Sequence, residues 1–260
     1  MDFPHALRER RTRRRLSQLD LALRAGTTQR HVSFIESGRS VPGRNMVVRL
    51  AESLELPLRE RNRLLLAAGY APVYAETALE DPVLAHVRTA IDHILRGHLP
   101  YPALVVDAGG GLIAANAAFG LLTEGADPDL VGPGKNVYRL ALHPDGLAPR
   151  ILNLAEWARH ILVRLDHLED LRTELASYVP RLEPSDGMLG FAVPLRLRSS
   201  HGELRLMTTV TTFATAVDVT LAELKLEAFL PADAATAGAL TAAAGPPGAP
   251  AGPGQVPGYM

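Results

Sequence analysis

The residues best equipped for chemistry stand between positions 26 and 39. Thr28-Gln29-Arg30 follows Gly26-Thr27 and opens a run, Gln29 to Glu36, in which Val32 and Ile35 recur at helical spacing. Thr28 suits the cap of that helix, so Gln29 and Arg30 project from its amino end. A glutamine amide pairs with adenine and a guanidinium with guanine in the major groove, each contact discriminating by about 1–3 kcal/mol. One turn further on, Ser33 reaches a base or phosphate, and the Phe34 ring suits either a thymine methyl or packing. His31 and Arg39 suit phosphate oxygens better than bases.

Other chemistries lack their residues. With no cysteine in 260 residues, disulfides, Cys-ligated metals and thiol nucleophiles are excluded, and a reducing compartment is consistent. No Gly-x-Ser-x-Gly nucleophile turn occurs. Gly109-Gly110-Gly111 lacks the following Lys-Ser/Thr of a phosphate loop, and in Gly132-Pro133-Gly134-Lys135 the next residue is Asn136 instead of a hydroxyl. His86/His93 and His160/His167 are seven apart, and no His-x-x-x-His or carboxylate completes a metal set. We therefore expect no enzyme, no metal and no cofactor.

The elements that position Gln29 and Arg30 lie in a basic segment. Residues 1–72 hold 14 Arg against 7 Asp+Glu, a charge of +7, while the remainder carries −8 within a total of −1. A basic unit joined to an acidic body points to a polyanion-binding module with a differently employed partner. Five short helices are expected here. They are His5 to Arg15, one capped by Ser17 with Asp20 in its first turn and an apolar face of Leu19, Ala22 and Leu23, then Gln29 to Glu36, one around Val47 to Leu54, and Leu58 to Ala68. Of the arginines Arg8, Arg10, Arg13, Arg14 and Arg15, one or two should touch phosphate, Arg14 among them, and the others supply field. Glu36 would repel phosphate and needs an internal partner.

Leu16-Ser17-Gln18, Ala22, the run Gly26 to Arg39, Pro42 and Leu50-Ala51-Glu52-Ser53-Leu54 together resemble the helix-turn-helix of the Cro/C1-type, or XRE, family of bacterial repressors. The resemblance covers about 60 residues with its spacing intact. It implies that Gln18 hydrogen-bonds a phosphate where the first motif helix crosses the backbone, that Thr28 to Phe34 enter the major groove, and that Arg11 pairs structurally with Glu36.

After a linker and connecting helix over 73–99, the periodicity changes. Leu104 to Asp107 and Leu112 to Ala115 read as a hairpin around the three glycines. Asn116 suits the cap of a short helix, and 151–178 is helical. Phe191 to Leu195, Gly202 to Phe213 and Val219 to Phe229 read as strands, the last alternating Ala222, Leu224, Leu226 and Ala228 with Glu223, Lys225 and Glu227. The fold class expected is an all-α five-helix domain (1–72) followed by an α+β domain with an antiparallel sheet (100–236). The uncharged Ala/Gly/Pro-rich tail, 237–260, should be disordered. Val105-Val106-Asp107, Leu112 to Asn116, Lys135 to Leu140, His143-Pro144, Trp157 and the late strands resemble a PAS-like domain, and the combination is similar to the MmyB-like XRE regulators. That resemblance implies a small apolar, fatty-acid-like ligand between sheet and helices. Phe119, Tyr138, Trp157, Phe191 and Phe213 are candidates to line its site, with Tyr138 and His160 as polar handles.

The expectation is a soluble, cytoplasmic transcription regulator without a membrane span. It would bind a double-stranded DNA operator as a homodimer and respond to a small apolar effector. The rival is a protein-interaction module built on a degenerate helix-turn-helix that binds no operator.

Overall fold

A computed structural model of the chain describes residues 2–165, 168–179, 193–213 and 216–244. Two compact units emerge, one of residues 1–81 with 213–223, the other of 82–212 with 224–260. Among the described residues no helix is long and apolar enough to cross a membrane.

The first unit holds α1 (Phe3–Arg13), α2 (Gln18–Arg24), α3 (Gln29–Glu36), α4 (Arg44–Ser53) and α5 (Leu58–Ala67). Ser17 caps α2 in a reciprocal box with Asp20, satisfying backbone donors that would otherwise be orphaned. Gly26 takes φ +59° in the turn before α3, a conformation open to glycine at little cost. The core gathers Leu7, Leu21, Ala22, Ala25, Val32, Ile35, Val47, Leu50 and Leu64. The expected apolar face of α2 is corrected. Leu21, Ala22 and Ala25 are buried, whereas Leu19 is 49% and Leu23 70% exposed. Two stripes at three-to-four spacing share Ala22, and the stripe containing both alanines is the one packed inward, in the core that α3 also enters.

The boundary after residue 72 also moves. Asn62 Oδ1 accepts from the backbone N–H of Val73 and Tyr74, and its Nδ2 donates to Tyr74 O, so the chain past the fifth helix stays on this unit. Residues 213–223 join it too: Arg59 donates to both carboxylate oxygens of Glu223 at 2.8 and 2.9 Å, and Asp218 accepts from Thr77 N and Oγ1. The strand expected over 219–229 begins only at residue 225. Asp218 Oδ1 accepts from Thr220 N and Leu221 N and starts a helical turn, Val219–Glu223, instead.

The second unit is a five-stranded antiparallel sheet, order β2-β1-β5-β4-β3, made of β1 (Ala103–Val106), β2 (Leu112–Ala115), β3 (Leu195–Ser199), β4 (Gly202–Thr212) and β5 (Lys225–Pro231). A connecting helix, α6 (Ala85–Gly97), packs on β1. Four helices, α7 (Phe119–Leu122), α8 (Val137–Leu142), α9 (Leu154–Arg164) and α10 (Glu169–Tyr178), share a core with Leu104, Val106, Leu204, Leu206 and Phe229 of the sheet; the face bearing these side chains is its inner face. The single helix expected over 151–178 is thus two. In the β1–β2 hairpin, Asp107 accepts from Gly109 N and Gly111 N, and Gly110 sits at φ +85° where a Cβ would lie 2.4 Å from the Tyr138 ring. Asn136 caps α8 by accepting from Tyr138 N and Arg139 N.

Asn116 does not cap the short helix as expected. It is buried and clamps three segments, accepting from Ala103 N and donating to Leu95 O and Tyr101 O. The tail also begins later than residue 237, because α11 (Ala234–Ala244) is helical, started by Asp233 accepting from Thr236 N, and buries Leu240. Alanine has the highest helix propensity, and a buried leucine and threonine suffice to anchor the run. Residues 245–260 lie outside the described residues.

Candidate nucleic-acid interface and sensor core

Helix α3 has two chemically distinct sides. Val32 and Ile35 are fully buried in the core, and Thr28, Gln29 and Arg30 are exposed at the opposite, amino-terminal side. Thr28 Oγ1 accepts from His31 N at 3.1 Å, which spends the hydroxyl on the cap. Among the described residues, no protein group hydrogen-bonds the side chains of Gln29, Arg30 or Ser33. Phe34 is half-buried, with the guanidinium carbons of Arg30 and Arg39 at 5.2 and 5.9 Å from its ring centroid. Its ring therefore gathers two cations on one surface by cation–π attraction. His31 Nδ1 shares a 2.9 Å hydrogen bond with Thr27 Oγ1. Arg14 lies apart, exposed and donating to Glu55 O at 2.8 Å.

Beneath this surface Arg11 grips Glu36 with two bonds, Nε to Oε1 at 2.6 Å and Nη2 to Oε2 at 2.9 Å, while its Nη1 donates to Leu16 O. The side chains are only 12% and 3% exposed. The hydrogen bond to Glu36 raises the Arg11 pKa against the opposing effect of burial. Gln18 adds a third donor, Nε2 to Glu36 Oε2 at 2.9 Å. The carboxylate at the end of α3 is thereby neutralised from within, leaving the outer face positive.

In the second unit the residues proposed from sequence to line a ligand divide. Phe119, Tyr138 and Trp157 are buried in one cluster, and His160 stacks on Trp157 with ring centroids 5.4 Å apart. Phe213 is not with them. The chain leaves the sheet at Thr212, and Phe213 falls, half-exposed, in the first unit. Phe191 lies outside the described residues. Sequence reading missed a buried charge in this core: Glu227, 5% exposed, is paired to Arg164 Nη2 at 2.7 Å. Alternation made Glu227 a solvent residue, but β5 is covered on both faces, so no period-two signal could have found it. Burial and Glu227 push the Tyr138 hydroxyl up to about 12, and burial followed by the Arg164 charge lowers the His160 pKa, against a smaller opposing effect of Glu227.

Comparison with known proteins decides the family. Residues 87–243 match the model of the MmyB-like transcription regulator ligand binding domain. The chain belongs to the MmyB-like transcription regulators. A helix-turn-helix model matches residues 7–61 of this regulator, from within α1 to the first turn of α5. Among solved structures it is similar to the restriction-modification controller protein C.AhdI from Aeromonas hydrophila, at 34% identity over 23% of this chain and 89% of that one, with a TM-score of 0.22. It is also similar to an RNA-binding light-oxygen-voltage receptor, at 15% identity over 85% of this chain and 53% of that one, with a TM-score of 0.28. No curated protein matches. The regulator thus joins a helix-turn-helix DNA-binding domain to a ligand-binding domain, and both expectations of architecture hold.

Proposed function

We propose that this regulator binds a specific DNA operator in the cytoplasm as one half of a two-fold dimer, and that a small apolar, fatty-acid-like effector in the ligand-binding domain sets its affinity. The observation that carries the reading is the division of α3, buried through Val32 and Ile35 and open through Gln29 and Arg30, with Ser33 half-buried. A helix so divided fits the major groove edge-on, and Phe34 holds Arg30 and Arg39 where phosphates flank it. A dimer would match recognition helices about 34–36 Å apart to half-sites on one side of the duplex. The buried aromatic core of Phe119, Tyr138 and Trp157 supports the apolar effector, and no catalytic role belongs to the reading.

The test is selection of operator from a random duplex pool, then gel-shift titration of the selected sequence across salt. Affinity should fall linearly with the logarithm of salt, at about 0.9 per phosphate neutralised. Failure to retain any duplex at low salt overturns operator binding and favours the interaction-module alternative.

A further inference from the structure

We propose that residues 216–223, between β4 and β5, form a strap through which occupancy of the ligand-binding domain alters the DNA affinity of the first unit. This rests on the reading of the chain as an effector-responsive regulator and specifies the element that carries the response.

The strap returns directly into the middle of the sheet. β5 is the central strand in the order β2-β1-β5-β4-β3, and its first residue, Lys225, pairs with both Val106 of β1 and Thr212 of β4. Glu223 precedes Lys225 by two residues, about 7 Å of chain at full extension. Leu224 between them is buried. So short and fixed a connection has no slack, and a displacement of β5 reaches Glu223.

Yet these residues belong to the first unit. The helical turn Val219–Glu223 packs on α5, with Val219 fully buried, and Val219 N donates to Ala75 O at 2.7 Å. Asp218 Oδ2 accepts from Thr77 N and Oγ1. Arg59, in the first turn of α5, grips Glu223 with Nε and Nη2 and also reaches Glu76 at 2.6 Å. Leu64 and Leu65 of the same helix enter the core that seats Val32 and Ile35 of α3. A pull on Arg59 is thus a pull on a helix packed into the core of the recognition helix.

The hold is one that can be released. Arg59 is 35% and Glu223 20% exposed, so solvent screens the pair and weakens it. Val217 is exposed, and Val219 is the one fully buried apolar side chain among residues 216–223. A segment with little apolar burial and partly exposed polar contacts opens locally without unfolding the rest. Coupling between two sites requires such an element, with two arrangements that both sites bias.

The full-length protein is titrated with the apolar fluorescent dye N-phenyl-1-naphthylamine, alone and with the selected operator duplex at saturation. Linkage is reciprocal, so whatever the dye does to DNA affinity the duplex does to dye affinity. In the wild type the duplex should change the dye's Kd by about fivefold or more. Thr77→Val combined with Glu223→Ala frees the strap and should bring that ratio below about twofold while dye and duplex each still bind. Glu76→Ala takes the other carboxylate from Arg59 and leaves the strap docked, so it should keep the wild-type ratio. Where the double variant fails to fold, Glu223→Ala alone should at least halve the ratio. A wild-type ratio of one overturns the strap, as does a ratio that survives the double variant. Equal loss in Glu76→Ala assigns the effect to the charge of Arg59 and overturns it too. In each of these outcomes dye and DNA still bind, and the regulator reading stands. Refusal of the dye, or failure to retain any duplex, overturns the regulator reading and the strap with it.

Discussion

Gln18 donates its side-chain amide to Glu36, Nε2 to Oε2 at 2.9 Å, and so links the start of α2 to the end of α3. With Arg11 donating to both carboxylate oxygens, Glu36 becomes the joint of three helices. Removing one partner of a buried pair leaves the other charged and unpaired, which typically costs about 3–5 kcal/mol. Glu36→Ala should therefore destabilise the DNA-binding domain by about that amount in denaturant unfolding. Gln18→Ala, removing one neutral donor to a charged group, should cost about 1.5–3 kcal/mol or less. Equal stability of Glu36→Ala and wild type would refute this role.

Base reading and phosphate binding separate by their sequence profiles. Gln29→Ala should flatten preference at one base-pair position by about 1–3 kcal/mol. Arg39→Ala should weaken all sequences alike and reduce the salt slope by about one. Identical selection profiles for Gln29→Ala and wild type would remove Gln29 from the base-reading set.

Asn116 makes three hydrogen bonds, two of them buried, that tie the end of α6 to β1. Asn116→Ala takes the amide from Tyr101 O and Ala103 N–H, while Leu95 O keeps the backbone N–H of His98, and each stranded buried group costs about 1–3 kcal/mol. The melting temperature of the ligand-binding domain, read by circular dichroism, should fall by about 2–4 °C for each kcal/mol lost. An unshifted transition would show that water replaces the amide.

Acid should loosen the same domain through two carboxylates. Arg139 and Tyr178 hold Glu174 down to about 2, and Arg196 and Arg205 hold Glu203 down to about 2, from an ordinary 4.5. A carboxyl whose pKa is lowered by folding stabilises while ionised, fully so above its unfolded pKa, and that contribution disappears as pH falls through the folded value. Both are about one-third exposed, so solvent screening keeps each contribution small. Melting temperature should fall between pH 4.5 and 2, and Glu174→Gln should reduce the fall. A pH-independent melt over that window would exclude both pairs as contributors.

Legibility from sequence followed the range of the forces involved. The caps at Ser17 and Thr28, the turn at Gly26, the five helices and the outward-facing Gln29 and Arg30 depend on residues within a turn or two of each other. Local spacing therefore determined them, and the basic charge of residues 1–72 needed only counting. Tertiary packing decided the rest. It chose Leu21 over Leu19 and Leu23 for the core, turned Val219–Glu223 into a helix on the first unit and removed Phe213 from the sensor core. It also buried Glu227 beside Arg164, 63 residues distant in sequence. Which of two apolar stripes is covered, and whether a strand is covered on one face or two, depends on surfaces far away along the chain, and no local period carries that information.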